Sequence, residues 1–243
     1  MTALLEAQGI GIAGRLSPTE LAVEAGQMVA VIGPNGGGKT SLLRALARTE
    51  DALGSVTIDG RAVDETAEAE RRRLLSFLPA SREATWPVAV ADFLAFGLGS
   101  PDASRIDALI DMLKLAPLAD RPIDRLSTGE RARAMLGRAI AGQPRLLLLD
   151  EPLSNLDPYW ALRTVEIIRT EIAQNRSAAL VSVHDLDIAR RFDRVVLVSG
   201  GTVVADGAPE MVLDSREFGE AFRVTKGARG WAISSPADPR SWR

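Results

Sequence analysis

The sequence of 243 residues has no cysteine, a single histidine and no large excess of charge of either sign. The absence of cysteine excludes a disulfide framework, a thiolate metal site and a cysteine nucleophile, and it leads us to expect a reducing compartment. One histidine gives little support for a zinc site. Because 29 Lys and Arg residues stand against 32 Asp and Glu residues, the formal net charge is -3 and we expect no nucleic acid partner.

The sequence also lacks a long apolar run. No run approaches the roughly 18 residues that a membrane span requires, and the first residues lack the basic and apolar regions of a secretion signal. We therefore expect a cytoplasmic chain that meets a membrane only through a partner. Hydrophobic residues (46%) and charged residues (25%) are near the average of soluble globular proteins, which excludes a disordered or low-complexity chain.

Short apolar runs, rich in Leu and branched residues, predict the strands of a sheet. Continuous apolar runs are typical of strands that are buried on both faces of a parallel sheet. Segments with apolar spacing near 3.6 lie between these runs and predict helices, so the whole pattern favours an α/β fold. The predicted strands are 28–32, 75–78, 146–149, 179–183 and 195–198, and the predicted helices are 40–47, 127–141, 159–173 and 186–192.

The middle of the chain differs in character from the rest. It carries helical patterns at 90–96 and 104–115, separated by prolines, and it has no strong strand pattern. This predicts a helical lobe inserted into an α/β core. The predicted division of the single domain 1–243 is a core of 1–80 and 143–225, the lobe 81–142 and a C-terminal tail 226–243.

Residues 33–40 read GPNGGGKT and match the phosphate-loop pattern G-x-x-x-x-G-K-[ST], between a predicted strand and a predicted helix. Glycines let successive backbone N–H groups face phosphate oxygens, while Lys39 would reach the β and γ phosphates and the Thr40 hydroxyl would bind Mg²⁺. The alternative is a glycine-rich turn that contains a lysine by chance. The candidate nucleotide-binding residues are Gly33, Pro34, Asn35, Gly36, Gly37, Gly38, Lys39, Thr40 and Ser41.

Two further predicted strands end in polar side chains. Residues 146–152 read LLLLDEP, and the carboxyl end of a parallel strand would bring Asp150 and Glu151 beside the phosphate loop. Asp150 suits a water-linked role at Mg²⁺, and Glu151 suits a general base that orients the attacking water. His184 follows another strand and would face the γ phosphate, which makes it a catalytic candidate with Glu151 and Lys39. Ordinary charged strand ends and a structural histidine are the alternatives.

Residues 126–130 read LSTGE and precede a predicted helix. Ser127 and Glu130 have the spacing of a capping box, which by itself gives both residues a structural role. A helix N-terminus with a serine hydroxyl and the Gly129 N–H is also an anion site. Because this one lies in the lobe, away from the phosphate loop of its own chain, it could serve a nucleotide that another subunit holds.

The chain resembles the ATP-binding subunits of ABC transporters on five motifs in one order: GPNGGGKT at 33–40, LSTGE at 126–130, LLLLDEP at 146–152, SNLD at 154–157 and then His184. The resemblance covers about residues 4–222. It implies a P-loop NTPase core of the RecA-like type, with a mostly parallel sheet, an inserted α-helical subdomain and an N-terminal antiparallel β portion. It also implies ATP and Mg²⁺ as cofactors and a head-to-tail homodimer that sandwiches two ATP molecules.

The same resemblance implies further site residues and partners. The LSTGE segment of one subunit would contact the nucleotide on the other subunit, and residues 155–157 would form the loop that links the two sites. The cofactor-binding residues implied in this way are Ser127, Thr128, Gly129, Glu130 and Asp157. ATP binding and hydrolysis would drive transmembrane permease subunits, so the chain would be peripheral on the inner face of the cell membrane, with a substrate-binding protein as an indirect partner.

The importer branch for vitamin B12, haem or iron-siderophore complexes is the one that the chain resembles most. The features that suggest this branch are the short N-terminal stretch, the segment WPVAVADFL at 86–94 and the compact C-terminal end.

Three features depart from the family pattern. Ala80 occupies the position of a glutamine that ligates Mg²⁺ and senses the permease, and a methyl group cannot ligate a cation. Thr128 stands where the family usually has glycine, and we expect it to be tolerated in the first turn of a helix. The N-terminal stretch has no aromatic residue of the kind that many relatives stack on adenine, which predicts weak base stacking and poor selectivity for ATP over GTP.

Two other functions remain as alternatives. A small-molecule kinase with the same phosphate loop leaves the LSTGE and SNLD segments unexplained. A nucleotide-binding module with weak hydrolysis would follow if Ala80 and Thr128 impair turnover, although the chain keeps Lys39, Glu151 and His184. The sequence favours an ATPase subunit that powers an importer.

Overall fold

The structure is a computed structural model that describes residues 3–81, 87–227 and 230–233. The strands are β1 Leu5–Ile12, β2 Leu16–Val23, β3 Met28–Ile32, β4 Leu53–Ile58, β5 Arg61–Ala62, β6 Leu75–Leu78, β7 Leu146–Leu149, β8 Ala178–Ser182, β9 Arg194–Ser199, β10 Thr202–Gly207, β11 Val224–Gly227 and β12 Gly230–Ile233. The α-helices are α1 Lys39–Ala47, α2 Glu68–Leu74, α3 Val90–Ala95, α4 Ala103–Met112, α5 Thr128–Ala141, α6 Pro158–Asn175, α7 Leu186–Ala189, α8 Pro209–Leu213 and α9 Arg216–Phe222. Short 3-10 helices lie at Val63–Glu65, Ala116–Leu118 and Ile123–Arg125.

The central sheet has the strand order β10-β9-β3-β8-β7-β6. Five of its strands run parallel, and β10 returns antiparallel beside β9. Every residue of β3 and β7 is buried, as expected for apolar strands that are covered on both faces. The carboxyl ends of β3, β8 and β7 therefore lie along one edge of the sheet, which is where the predicted site residues follow them.

A second, antiparallel sheet precedes and flanks this core, with the order β2-β1-β4-β5. Its apolar side chains, such as those of Leu5 and Ile10, are buried in one cluster with Leu42 and Leu46 of α1. The α/β fold with an N-terminal antiparallel β portion is therefore confirmed.

The helical lobe shares its hydrophobic core with one face of the central sheet. Leu94 of α3, Leu109 of α4 and Leu136 of α5 are buried in the same cluster as Leu147 of β7. Gly142 directly follows α5, and its φ is -77°, which is not the left-handed conformation that favours glycine at a helix end. Its lack of a side chain serves close packing instead, because a Cβ there would lie 2.5 Å from the Gly97 carbonyl oxygen.

Several predicted element ends differ from the structure. The predicted helix 104–115 ends at Met112, because Lys114 takes a φ of 52° that breaks the helix before residue 115. The predicted helix 186–192 ends at Ala189. The predicted strand 179–183 lies one residue earlier, at Ala178–Ser182, so Val183 is already past the end of β8.

The C-terminal part contains a hairpin that the sequence did not predict. Strands β11 and β12 pair antiparallel, and the Trp231 ring lies 4.8 Å from the Phe218 ring of α9. The predicted boundary between residues 225 and 226 lies within this hairpin, and the division into core, lobe and tail stays a prediction. Trp86 and the end of the chain beyond residue 233 lie outside the described residues. None of the helices in the described ranges is long and apolar enough to cross a membrane.

Candidate active site

The phosphate loop connects β3 to α1 with a backbone that requires glycine. Gly33, Gly36 and Gly38 have φ values of 152°, 74° and 111°. A Cβ on Gly33 would lie 2.0 Å from the Val198 carbonyl oxygen, so no other residue fits at that position without moving β9. The loop ends at the nine-residue helix α1, whose first N–H groups and dipole favour an anion at this position.

Lys39 is held inside this loop. Its Nζ donates hydrogen bonds to the carbonyl oxygens of Gly33 at 2.9 Å and Pro34 at 3.1 Å, and the residue is only 6% exposed. Burial lowers the pKa of Lys39, while the carboxylates of Glu151 and Asp150 act in the opposite direction. A cation with backbone partners that can be exchanged for phosphate oxygens is what the predicted role of Lys39 needs.

A cavity of about 720 Å³ opens beside the loop. Residues 35–41 line it, together with the β1–β2 connection at 12–18, Leu53, Glu151 and the β9–β10 turn. The Gly201 N–H of that turn donates to the Gly37 carbonyl oxygen at 2.9 Å, so the turn and the phosphate loop are joined by backbone. A cavity of this volume, with backbone N–H groups and one lysine at its wall, suits a nucleotide.

Asp150 follows β7 and is almost completely buried, with 1% of its surface exposed. Its Oδ1 accepts a 2.7 Å hydrogen bond from the Ser182 hydroxyl, while its Oδ2 is buried and has no hydrogen-bond partner among the described residues. A buried ionised oxygen without a partner is costly unless a cation or a water fills the place beside it. This observation fits the predicted role of Asp150 toward Mg²⁺.

Glu151 adopts a left-handed backbone conformation with a φ of 52°. Its N–H donates to the Ser182 hydroxyl at 2.7 Å, and its carboxylate lines the nucleotide-sized cavity. The His184 Nε2 lies 2.8 Å from Glu151 Oε1. Asp150, Glu151 and His184, the predicted strand-end residues, thus lie close together beside the phosphate loop. They do so because the strands that they follow, β7 and β8, are neighbours in the sheet.

Ser182 is a contributor that the sequence did not single out. It is fully buried at the end of β8, and its hydroxyl accepts from the Glu151 N–H and donates to the Asp150 carboxylate. The signal was present in the sequence, because Ser182 is a polar residue within the apolar run of 178–183 and lies two residues before His184.

The LSTGE segment lies outside the cavity at the phosphate loop. Ser127 caps α5, and the predicted capping box is present, with the Glu130 N–H donating to Ser127 Oγ and the Ser127 N–H donating to Glu130 Oε2 at 2.8 Å. The hydrogen bond from the Ser127 N–H lowers the pKa of the Glu130 carboxyl. Thr128 is the first residue of α5 with an ordinary negative φ, and both Ser127 and Thr128 are exposed.

The loop that contains Asp157 adjoins this helix start. Asp157 caps α6 by accepting the Trp160 N–H at 2.9 Å, and Asn155 has a φ of 62°. A Cβ on Gly129 would lie 3.9 Å from the Asn155 carbonyl oxygen. A second cavity of about 480 Å³ begins beside this loop, and its lining includes both Glu151 and His184.

Ala80 lies two residues past the end of β6, beside β7. The pairing of Leu78 with Leu149 and the 2.8 Å hydrogen bond from the Asp150 N–H to the Leu78 carbonyl oxygen bring this connection next to the carboxylate. Among the described residues, no group of three or more His, Cys, Asp or Glu side chains could hold a metal ion. Mg²⁺ in nucleotide sites is held by few protein ligands together with phosphate oxygens.

Comparisons with known proteins show which family the chain is similar to. The family described as ABC transporter matches residues 16–154. The chain is 35% identical over 229 residues to the hemin import ATP-binding protein of Bordetella avium, covering 86% of each chain. It is 32% identical over 241 residues to a cobalamin import ATP-binding protein of Halobacterium salinarum, covering 93% of this chain and 61% of that protein. A solved ATP-binding subunit of an ABC transporter superposes with a TM-score of 0.77 at 25% identity, over 90% of this chain and 94% of the other.

Proposed function

The chain belongs to the ABC transporter family as an ATP-binding subunit, and from that premise we propose how its residues hydrolyse ATP and what the hydrolysis drives. It is an ATPase subunit of an importer. The proposal concerns the residues that do the chemistry, the metal, the assembly and the cargo.

The observation that carries the residue assignment is the Glu151 carboxylate in the nucleotide-sized cavity, with His184 on one of its oxygens. Water attacks the γ phosphorus, a new P–O bond forms as the bond to the ADP oxygen breaks, and Glu151 accepts the proton of that water. His184 holds the Glu151 carboxylate in position. Lys39 exchanges its backbone partners for β and γ phosphate oxygens and offsets the charge that develops there.

Asp150 and Thr40 would hold Mg²⁺, the former through water. The buried Asp150 Oδ2 supports this assignment, since none of the residues in the described ranges is its hydrogen-bond partner, and Thr40 lines the cavity at the start of α1. When bound, Mg²⁺ neutralises charge on the phosphate oxygens.

The assembly that we propose is a head-to-tail homodimer. Residues 127–130 do not belong to the lining of the cavity at the phosphate loop, and Ser127 and Thr128 are exposed on the lobe. In the dimer, the start of α5 in one subunit would close over the nucleotide held by its partner, with Gly129 and Glu130 as neighbours of the phosphates and Asp157 in the loop between the two sites. In this arrangement the exposed residues Ser127 and Thr128 would face the nucleotide of the partner subunit.

The cargo that we propose is haem, cobalamin or a similar iron complex. Relatives whose printed names specify hemin import and cobalamin import support this class. Such a subunit works beneath transmembrane permease subunits on the inner face of the cell membrane, and a substrate-binding protein delivers the cargo to the permease. The weakly hydrolysing regulatory module is not favoured, because Lys39, Asp150, Glu151 and His184 are assembled at one place.

Steady-state hydrolysis of Mg-ATP as a function of protein concentration tests the proposal. We expect a rate that rises faster than linearly with concentration, because two chains form each site, and a rate near background for Glu151→Gln. Glu166→Gln, an exposed glutamate of α6, is the matched control and should keep the wild-type rate. A linear dependence would contradict the dimer, and full activity of Glu151→Gln would contradict the assigned base.

A further inference from the structure

Helix α5, which begins within the LSTGE segment, lies against the loop that precedes α6. A Cβ on Gly129 would lie 3.9 Å from the Asn155 carbonyl oxygen and 4.0 Å from Leu156 Cδ2. Arg133 comes four residues after Gly129, and residues with this spacing lie on the same face of a helix. One face of α5 is therefore directed at the loop 155–157 and at the start of α6.

Arg133 and Trp160 make a stacked contact between these two helices. The Arg133 Cζ lies 4.3 Å from the centroid of the Trp160 ring, which is the distance of a cation–π contact. The Trp160 N–H donates to Asp157 Oδ1 at 2.9 Å, the hydrogen bond that caps α6. The residue whose ring Arg133 covers is thus the residue that fixes the side chain of Asp157.

The Arg133 guanidinium is held in place by the lobe. It donates to the carbonyl oxygens of Leu113 at 2.6 Å and Lys114 at 3.0 Å, both directly after α4. Burial lowers the pKa of Arg133, while the carboxylates of Glu130 and Asp157 act in the opposite direction. A guanidinium that is partly withdrawn from water gains more from an aromatic face than an exposed one does.

The contact joins the lobe to the core. Arg133 belongs to α5 of the lobe, whereas Trp160 belongs to α6, which packs against β8 of the central sheet. In the proposed dimer, the start of α5 and the loop 155–157 of one chain have to meet the partner at the same time. Any freedom between the two segments would be lost on association, so a contact that sets their relative position beforehand favours the dimer.

We propose that Trp160 and Arg133 are positioning residues for the nucleotide site of the partner subunit, because their contact holds the LSTGE segment and the loop 155–157 in one relative position. Neither side chain is among the residues that line the cavity at the phosphate loop. Binding of ATP by the chain's own phosphate loop should therefore not depend on them. The inference rests on the proposed function, since it takes the head-to-tail dimer as the assembly.

The test measures the Kd of the dimer by analytical ultracentrifugation of the full-length Glu151→Gln chain with ATP and Mg²⁺. We expect Trp160→Leu in this parent chain to weaken the dimer by about tenfold, because both subunits lose the contact. Arg133→Met, which removes the cation and keeps the ring, should weaken it at least as much. Trp160→Phe retains an aromatic face and should recover most of the loss.

Two further measurements separate positioning from a general loss of structure. The Kd of a fluorescent ATP analogue, measured at protein concentrations at which the chain is monomeric, should stay within about twofold of the parent value in every variant. Arg138→Met is the matched control, because it breaks the other cation–π contact of α5, in which the guanidinium lies 5.0 Å from the Phe93 ring within the lobe. This control should leave the Kd of the dimer unchanged.

The inference would be overturned if Trp160→Leu and Arg133→Met dimerise as the parent does. It would also be overturned if Arg138→Met weakens the dimer equally, or if the monomers lose affinity for ATP to the same extent, since the effect would then be a loss of lobe structure. Absence of an ATP-dependent dimer in the parent chain would overturn the proposed assembly itself, and with it the inference. That result is distinguishable because it appears before Trp160 or Arg133 is replaced.

Discussion

One hydroxyl group, that of Ser182, connects the two carboxylate residues of the site. It accepts a hydrogen bond from the Glu151 N–H and donates one to Asp150 Oδ1, both at 2.7 Å, and Ser182 itself is fully buried. The first contact holds Glu151 in its left-handed conformation, which costs free energy for a residue other than glycine. The second leaves Asp150 Oδ2 as the carboxylate oxygen that has no hydrogen-bond partner within the part of the chain that the structure describes.

Replacement of Ser182 by alanine should therefore affect both stability and turnover. The change leaves a buried N–H and a carboxylate oxygen without their partner, so we expect a loss of about 1–3 kcal/mol in the free energy of unfolding, measured by urea denaturation. We also expect kcat to fall by a larger factor than KM changes. The reason is that Glu151 would lose its position, whereas the residues that contact the nucleotide would keep theirs. Ser182→Thr should recover part of kcat.

Ser177→Ala is the matched control for this prediction, because Ser177 is also buried but lies between α6 and β8, at the far end of that strand. It should leave kcat unchanged. A Ser182→Ala chain with wild-type kcat would show that the hydroxyl has no part in positioning Glu151.

At this scale, the sequence predicts residues that carry a motif and misses residues that act through position. The phosphate loop can be predicted because its glycine spacing reflects a backbone that few other residues can adopt. Asp150, Glu151 and His184 can be predicted as strand-end residues, and the structure brings them together beside the loop. Ser182 belongs to no motif, and its role depends on the pairing of β7 with β8, which the sequence pattern of one strand does not contain.

At the scale of elements, the connection that follows β6 carries one of the three departures from the family pattern. Ala80 follows β6, which pairs with the end of β7 that Asp150 follows, and its side chain is only a methyl group. A glutamine at this position would add an amide oxygen, which is a ligand that Mg²⁺ accepts.

Ala80→Gln should raise Mg-ATP hydrolysis, or tighten its coupling to a permease, and lower the Mg²⁺ concentration needed for half-maximal rate. Rates measured over a Mg²⁺ titration, with and without permease subunits, check this expectation. Ala69→Gln, an exposed alanine of α2, controls for the effect of a longer polar side chain. An unchanged rate, Mg²⁺ dependence and coupling would show that the methyl group at position 80 is of no consequence.

The lobe is tied to the core by an ion pair between helices. Arg105 of α4 donates to Glu171 of α6 at 2.7 Å and to the Ile140 carbonyl oxygen at the end of α5, and the Glu171 side chain is only 3% exposed. Removal of one member of a buried pair leaves the other charge without compensation.

Arg105→Ala should therefore lower the free energy of unfolding by about 3–5 kcal/mol. The double replacement Arg105→Met with Glu171→Leu should restore most of this loss, since neither charge is then buried. Urea denaturation of Arg105→Met, of Glu171→Leu and of the double variant measures the coupling between the two side chains. Arg163→Ala, which breaks an exposed pair with Glu166, should cost less than about 1 kcal/mol. Equal losses of unfolding free energy in Arg105→Ala and Arg163→Ala would contradict a stabilising role of the ion pair between Arg105 and Glu171.

Long buried elements are predictable from the sequence, and short ones that depend on neighbours are not. Strands β3 and β7 have continuous apolar runs, and their predicted and observed ends agree. Hairpin β11–β12 has four residues in each strand, too few for a clear alternation, and packing of Trp231 on the Phe218 ring accompanies it. Helix α4 ends where Lys114 turns left-handed, a conformation that lysine does not signal.

At the scale of the whole molecule, the proposed dimer requires that one chain contribute parts of two different sites. The phosphate loop and Glu151 line one cavity, and the exposed start of α5 lies elsewhere on the lobe. A helix start with a serine hydroxyl, free N–H groups and the positive end of a dipole is suited to phosphate oxygens, which a second chain would supply. Completion of each site by a partner explains why ATP would hold two chains together and why its hydrolysis would release them.

We therefore expect ATP and Mg²⁺ to convert the Glu151→Gln chain from monomer to dimer, measured by light scattering after size exclusion, because the nucleotide is bound but not hydrolysed. Removal of Mg²⁺ with EDTA should reverse the conversion. The added change Ser127→Arg should prevent it, because the long side chain would occupy the space in which the partner's phosphates would lie, whereas Ser104→Arg, at another exposed serine of the lobe, should not. A dimer that survives Ser127→Arg would require that the two chains associate through a different surface.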